Sequence, residues 1–413
     1  MRRLKCSVII ALLLCSCSMH RGDNIADDVM PIVEAQTLVM LEQIDALPTM
    51  MLPRTIIDGE VDYIDLPNWT AGFFPGVLWY IHALSPDNSE MWAREAERFS
   101  NFIERGQYHT HNHDIGFIMM SSYGNGYRFY DHKEYVPVVI QSAKTLTKRY
   151  RPIVGAIQSW GEVRDVSQIK DPNDKRQCVV IVDNMMNLEL LFEATALSGD
   201  STYYNMAVSH ADVTMRDHFR DDDSSYQIVN YSLESGKPLH KYTGQGLHDE
   251  SAWAQGQAWG LYGYTMSYRY TQNPAYLDMA ERIARFMIEE SNQIEDGVLY
   301  WDFDAEKDEI APRDASAAAI MASALYELYT YVEVEEYRRV ADRILTSLSS
   351  PEYLAEVGTN GGFLLKHSTG NYPTNYAADE PLNFADYYYL ESLYRQKQLN
   401  SGVRIGYVAH REL

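Results

Sequence analysis

Two aspartates stand at the ends of apolar segments, where a carboxyl group could transfer a proton. Asp183 follows the apolar run 179–182, and Asp114 directly precedes the largely apolar segment 115–119. Poor solvation there raises the pKa of a carboxyl, whereas a helix N-terminus favours the anion, and the residues alone leave the balance open. Simple helix capping is the alternative for either Asp. Two carboxyls on neighbouring helices would suit acid–base chemistry on a sugar.

A third segment, 243–259, combines aromatic rings with amides. It contains Thr243, Gln245, Trp253, Gln255 and Trp259 behind a glycine-rich lead-in. The two tryptophans are six residues apart, which places them within about 120° of each other on a helix of about 3.6 residues per turn. Aromatic faces and neutral amides suit the apolar and hydroxyl surfaces of a sugar. The alternative is a packed helix whose aromatic residues belong to the core.

The sequence gives little support for a metal site or for a reactive cysteine. His109, His111 and His113 alternate and could ligate zinc on a strand, but no second group with metal-ligand spacing accompanies them. Cys178 stands alone beside an apolar run and is expected to be inert. The sequence therefore predicts neither a metal site nor a cofactor.

The elements that would position these residues are helical. Periodicity, caps and breakers predict twelve helices, and short extended segments at 224–243 and 297–304. Twelve helices in one domain predict an all-α fold, an (α/α)6 barrel of six helical hairpins. The predicted helices cover 26–46, 71–84, 88–105, 114–124, 132–150, 183–198, 201–219, 251–272, 274–291, 314–332, 335–348 and 381–396.

Alternate helices of such a barrel form its inner wall. We expect the even-numbered helices to be the inner ones, because their N-terminal ends carry Trp or charged residues while the odd-numbered helices begin with ordinary caps. Inner helix N-termini meet at one face of the ring, so these residues should converge on one pocket. They are Trp69-Thr70, Asp114, Asp183, Trp253, Arg313-Asp314 and Asp379.

The N-terminus has the pattern of a bacterial export signal. Arg2, Arg3 and Lys5 precede the short apolar run 8–14, and Leu14 stands three residues before Cys17, as in a lipobox. Residues 1–16 are predicted to be a lipoprotein signal peptide, Cys17 the lipidated residue, and 17–413 a single catalytic domain. An ordinary cleaved signal peptide is the alternative. We expect an exported lipoprotein that faces the periplasm or lies on the bacterial cell surface.

The charge of the chain limits its partners. The net charge is −23, and removing the three basic residues of the signal would make it −26. Such a balance argues against nucleic-acid binding and against attraction to anionic membranes, which leaves the lipid as the only membrane contact. A small anionic ligand in one local pocket remains compatible with it.

Several short motifs, in order along the chain, identify a family. Over essentially the whole predicted mature chain, the sequence resembles the unsaturated glucuronyl hydrolases. The motifs are WTAGFFPG at 69–76, HDIGF at 113–117, SW at 159–160, DNMMNL at 183–188, WAQGQAW at 253–259, YWDFD at 300–304, PRDAS at 312–316 and ADYY at 385–388.

The resemblance implies an (α/α)6 barrel that needs no metal and acts on short acidic oligosaccharides left by polysaccharide lyases. These carry a C4=C5 double bond in their terminal uronic acid, which the family hydrates as a vinyl ether. By motif match, Asp183 is the proton donor to C4 and Asp114 the second essential carboxylate. The residues at sugar-contacting positions are Trp69, His113, Trp160, Gln227, Thr243, Gln245, Trp253, Gln255 and Trp259.

Two residues depart from the family pattern. Members often have His where this chain has Gln227 and Arg where it has Gln255. The loss of a cation beside an anionic sugar calls for another one, and Lys241 is a candidate. The competing functions are a polysaccharide lyase, an inverting glycosidase on saturated sugars, and a surface lipoprotein that only binds carbohydrate. An unsaturated glucuronyl hydrolase destroys the ultraviolet absorbance of the double bond, a lyase creates it, and the other two leave it unchanged.

Overall fold

A computed structural model describes residues 24–160, 177–307 and 310–406. The predicted signal peptide and Cys17 lie outside these residues. The helices are α1 (Ile25–Asp45), α2 (Phe73–Leu84), α3 (Ser89–Phe102), α4 (Ile115–Met119), α5 (Asn125–Tyr130), α6 (Val136–Leu146), α7 (Leu188–Ser198), α8 (Ser201–Asp217), α9 (Ala254–Thr271), α10 (Pro274–Asn292), α11 (Ala315–Val332), α12 (Glu335–Leu348) and α13 (Asn383–Asn400).

The helices form a closed ring of two layers. A π-turn at Met120–Gly124 joins α4 to α5, so the described chain contains twelve helical rods. The inner wall consists of α2, α4–α5, α7, α9, α11 and α13, each packed on the next, and α13 packs on α2 to close the ring. The outer layer consists of α1, α3, α6, α8, α10 and α12. The predicted (α/α)6 barrel is confirmed, with the even-numbered predicted helices inside.

Composition explains which helices are inside. Nearly every side chain of α11 is buried, and its many alanines let neighbouring helices approach closely. Outer helix α12 instead buries one stripe, including Tyr337, Val340 and Ile344, and presents charged residues to solvent. The sequence of an inner helix therefore has apolar or small residues on all sides, and the sequence of an outer helix is amphipathic.

Short antiparallel strands decorate the ring. They are β1 (Leu52–Ile57) with β2 (Glu60–Ile64), β3 (Tyr150–Arg151) with β4 (Ala156–Ile157), the three-stranded sheet of β5 (Gln177–Ile181), β6 (Ile228–Ser232) and β7 (Pro238–Tyr242), and β8 (Ser368–Asn371) with β9 (Tyr376–Glu380). Strands β6 and β7 confirm the extended segment predicted at 224–243. The segment predicted at 297–304 forms no continuous strand among the described residues; it pairs through isolated antiparallel bridges, Tyr300 with Arg313 and Asp302 with Trp253, and ends in a turn at 303–304.

Hydrogen bonds beside the ring join an N-terminal segment, 53–70, to a C-terminal segment, 381–383. The Asn383 side chain donates hydrogen bonds to the carbonyl oxygens of Pro53, at 2.9 Å, and of Thr70, at 3.1 Å. The Thr55 hydroxyl donates to the Pro381 carbonyl at 2.7 Å. Strand β1 consequently lies against β9, and residues from both ends of the sequence reach the same face of the barrel. Among the described residues, none of the helices is both long and apolar enough to traverse a bilayer.

Candidate active site

One cavity of about 370 Å³ opens at the N-terminal ends of the inner helices. Eight of the eleven residues predicted to act on the sugar line it: Asp114, Asp183, Trp69, Trp160, Gln227, Gln245, Trp253 and Gln255. The remaining wall is formed by Arg54, Thr70, Phe117, Ile181, Ile228, Gly244, Gly370, Asn371, Tyr376, Leu382 and Phe384. The predicted convergence of the inner helix starts therefore produces a single pocket that contains both carboxyls.

A strand and a tight turn position Asp183 in the cavity wall. Strand β5 is held by a hydrogen bond from the Ile181 amide to the Ser159 hydroxyl at 2.9 Å, and a 3-10 turn at Val182–Asn187 follows it. The side chain of Asp183 is buried, and its Oδ1 has no hydrogen-bond partner among the described residues. Burial, reinforced by the negative charge of Asp114, raises the pKa of Asp183 to about 8. Desolvation thus outweighs the helix N-terminus, and Asp183 carries a proton at neutral pH.

The side chain of Asp114 lies against the buried ring of His113. The Nε2 atom of His113 lies 3.2 Å from Asp114 Oδ1, and the His113 amide donates to the Ser159 carbonyl at 3.0 Å. The Asp114 amide donates to the Asn112 side chain at 3.1 Å. Because Ser159 contacts both β5 and His113, one residue ties the positions of the two carboxyls together.

A glycine allows these two segments to approach. A Cβ atom on Gly116 would lie 2.5 Å from Asn187 Oδ1 and 2.6 Å from the Asn187 Cα. The same Oδ1 accepts a hydrogen bond from the Phe117 amide at 2.8 Å. Helix α4 therefore lies directly against the turn that carries Asp183, which places Asp114 close enough to act on the pKa of Asp183.

Amides and an indole form another part of the cavity wall. Gln227 Oε1 accepts from the amides of Gly244 and Gln245, at 2.9 and 2.8 Å, and its Nε2 donates to Gln245 Oε1 at 2.6 Å. Gln245 in turn donates to the Gly370 carbonyl at 3.2 Å. In the described part of the chain, Trp253 Nε1 and Gln255 Oε1 have no hydrogen-bond partner. Both residues line the cavity, and they leave one buried donor and one buried acceptor without a described partner.

Three residues that were predicted to contact sugar lie behind the wall instead. His113 is fully buried beneath Asp114. The Thr243 hydroxyl donates to the Ser251 carbonyl at 3.0 Å and so shapes the loop before Gln245. The ring centroid of Trp259 is 5.2 Å from that of Phe117, which does line the cavity. None of the three lines the cavity, so their contact with sugar stays a prediction.

Three of the charged residues expected at the inner helix starts are directed away from the cavity. Asp314 caps α11 by accepting from the Ser316 and Ala317 amides. Arg313 donates to the Val298 carbonyl. Asp379 is exposed in β9 and pairs with His367 at 2.7 Å, because the last inner helix begins only at residue 383. The prediction that these residues share the pocket is therefore wrong.

Sequence reasoning missed Arg54, Asn371 and Tyr376, which the two hairpins β1–β2 and β8–β9 bring to the cavity. Arg54 is the only basic residue of the cavity wall within the described ranges. Lys241, the expected replacement cation, does not line the cavity and lies 5.7 Å from the centroid of the Tyr226 ring. No local pattern distinguishes Arg54, because its place depends on the contact between the two ends of the chain.

No three His, Cys, Asp or Glu side chains come together as possible metal ligands in the residues that the structure describes. The His109 and His111 rings lie side by side with centroids 5.5 Å apart, whereas His113 points beneath Asp114. A reaction that needs no metal remains a prediction, for which chelation is the test.

Comparisons with known proteins place the chain in a family. An unsaturated glucuronyl hydrolase from Formosa agariphila is 47% identical over 333 residues, covering 80% of each chain, and one from Bacillus sp. is 32% identical over 82% of this chain and 89% of its own. A solved unsaturated glucuronyl hydrolase specific for heparin superposes with a TM-score of 0.84 at 41% identity, over 93% of this chain and 100% of its own. No protein-family profile matches the sequence. On the strength of these relatives, the chain belongs to the unsaturated glucuronyl hydrolases.

Proposed function

We propose that the enzyme removes the terminal 4,5-unsaturated uronic acid from lyase-generated acidic oligosaccharides, with glycosaminoglycan-type disaccharides as the best-fitting substrates. The observation that carries the proposal is a buried, protonated Asp183 beside Asp114 in one sugar-sized cavity. Relatives named unsaturated glucuronyl hydrolase and, in Streptococcus pneumoniae, unsaturated chondroitin disaccharide hydrolase at 30% identity support the substrate class.

The reaction begins with proton transfer to carbon. Asp183 donates its proton to C4 of the vinyl ether, and the positive charge that forms at C5 is shared with the ring oxygen. Water then attacks C5 and returns a proton to the Asp183 carboxylate, so one water molecule is consumed and the acid is restored. The hemiketal at C5 opens to a ketone, and the hemiacetal left at C1 breaks down to release the next sugar.

The other cavity residues stabilise and orient the sugar in this scheme. Asp114, next to Asp183, supplies negative charge that stabilises the cationic ring during proton transfer. Trp69 and Trp160 line the cavity and provide faces for the ring, while Trp253 and Gln255 line it with a buried donor and acceptor that no described residue satisfies. His113 acts only through Asp114, as a positioning residue.

The direct experiment follows the ultraviolet absorbance of unsaturated disaccharides from chondroitin and from heparin. We expect the wild-type enzyme to remove the signal without adding any cofactor. A lyase would instead increase absorbance on the intact polysaccharide. An inverting glycosidase would release sugar from saturated substrates and leave the absorbance unchanged, and a protein that only binds carbohydrate would do neither.

We also propose that the protein is exported and anchored by a lipid on Cys17, facing the periplasm or lying on the cell surface. The support is the basic start, the short apolar run and the lipobox-like end at Cys17. Growth with labelled palmitate should mark the wild-type protein and leave Cys17→Ala unlabelled. Equal labelling of both would contradict lipidation at this residue.

A further inference from the structure

The cavity poses an electrostatic problem for an anionic substrate. Asp114 and Asp183 line it, and so do the neutral amides of Gln227 and Gln255. An anion that leaves water for such a site needs a cation or several donors to replace its solvation. Within the described residues, Arg54 is the one Lys, Arg or His on the cavity wall. We infer that Arg54 binds the oxyanion of the substrate and sets the specificity of the enzyme for acidic sugars; this rests on the proposed function.

Arg54 is held as a binding group would be. Its guanidinium carbon lies 4.7 Å from the centroid of the Tyr376 ring, and both residues line the cavity. Stacking on an aromatic face fixes the plane of a guanidinium and leaves its edges free. The side chain retains 23% exposure, so it meets the ligand from a partly open part of the wall.

The guanidinium of Arg54 makes one charged contact among the described residues. The contact with Asp62, at 3.8 Å, is too long for a hydrogen bond, and Arg54 forms none with any residue that the structure describes. Asp62 is itself 28% exposed and does not line the cavity. The ion pair therefore helps to position the guanidinium without occupying the paired N–H groups, which match the two oxygens of a carboxylate or sulfate.

Two substrate groups offer this chemistry: the carboxylate on C5 of the unsaturated sugar, and a sulfate on the sugar next to it. Three substrates separate them, namely an unsulfated unsaturated disaccharide, its uronate methyl ester, and its sulfated counterpart. The variants are Arg54→Gln and Arg54→Lys. Arg105→Gln is the matched control, because Arg105 is 63% exposed, pairs with Asp65 and is absent from the cavity wall.

For a carboxylate contact, we expect Arg54→Gln to lower kcat/KM on the unsulfated disaccharide by about 10- to 100-fold, the range for a lost charged hydrogen bond. The same substitution should change kcat/KM on the methyl ester by less than about 3-fold, since no carboxylate is present there to lose. For a sulfate contact, the loss should occur on the sulfated substrate only. Arg54→Lys keeps the charge and should lose less in either case, and Arg105→Gln should behave as wild type.

Equal losses of Arg54→Gln on all three substrates, or no loss on any, would overturn the inference and leave the proposed function standing. An equal loss in Arg105→Gln would also overturn it, because general charge would then explain the effect. Should Arg54→Gln fail to fold in a thermal melt, Arg54→Lys decides through two ratios of rates, unsulfated disaccharide to methyl ester and sulfated to unsulfated disaccharide: if both ratios equal those of the wild type, the assignment is overturned. A wild-type enzyme inactive on every unsaturated disaccharide would overturn the proposed function and this inference with it.

Discussion

Replacing Asp183 with Asn removes one transferable proton while keeping the shape of the side chain. The variant should lose about 10²–10⁴ in kcat, the usual contribution of a general acid, because water cannot substitute for a positioned acid at a carbon atom. Burial raises the pKa of Asp183 to about 8, so the protonated form predominates in the wild-type enzyme at pH 7. The variant is therefore compared with an enzyme that holds the proton in question.

The same substitution should stabilise the fold. The pKa of Asp183 is raised from an ordinary 3.8 to about 8, so the folded protein keeps a proton that the unfolded chain releases between these values. Stability therefore falls as the pH rises across this window, and at pH 7 the protonated carboxyl costs about 4 kcal/mol. Asn carries no such cost, although its amide finds few partners there, a penalty of about 1–3 kcal/mol. The net expected gain is about 1–3 kcal/mol.

Two measurements test this reasoning together: decay of the ultraviolet signal on an unsaturated disaccharide, and urea unfolding of both proteins at pH 5 and pH 8. Circular dichroism confirms that the variant is folded. The stability gain should be larger at pH 8 than at pH 5. A folded variant with more than about a tenth of the wild-type rate would show that another group donates the proton. A gain that does not grow with pH would refute the raised pKa.

Four further outcomes are expected. In a pH–rate profile, the wild-type kcat/KM should fall above about pH 8 as Asp183 loses its proton, and an enzyme whose rate still rises beyond pH 9, about one unit above that pKa, would contradict this assignment. Asp114→Asn should cost about 100-fold or more in kcat and move the alkaline fall to lower pH, because the Asp114 charge helps to raise the pKa of Asp183. Gly116→Ala should lower the free energy of unfolding by about 1–3 kcal/mol in urea titrations, because its new Cβ meets the Asn187 side chain and backbone. Exhaustive dialysis against a chelator should leave the rate unchanged, and activity that returns only with added zinc would disprove a metal-free reaction.

The barrel could be predicted because its helices are encoded by patterns among neighbouring residues, namely periodicity, caps and breakers. The Trp and charged residues at the starts of alternate helices predicted which helices are inside, and the Ala-rich α11 and amphipathic α12 agree with that assignment. The place of Asp183 was also predictable, since it follows directly on a buried apolar run, whereas the direction of its pKa shift needed the structure, because burial and the helix N-terminus act in opposite directions. Both conclusions depend on residues that are neighbours in the sequence.

The parts of the site that sequence reasoning missed depend on contacts between distant residues. Arg54 reaches the cavity because β1 lies against β9, and nothing near residue 54 encodes that pairing. Asp379 was expected at a helix start but has φ 60° in a hairpin that precedes the helix. The helical angle between Trp253 and Trp259 also failed, because Trp253 is an extended N-cap before α9; one ring therefore faces the cavity and the other the core.

The hydrogen bonds that join Asn383 to the segment around Pro53 also affect the rate at which the protein folds. These hydrogen bonds join residues more than 300 positions apart in the chain. Contacts of such high sequence separation form slowly, because closing a long loop costs conformational entropy before the contact contributes any stabilising free energy. Arg54 and Trp69 emerge from the ribosome early, whereas Tyr376 and Phe384, which share their cavity, emerge last. We therefore expect a nascent or truncated chain without its final helix to be inactive, even where the preceding helices have folded.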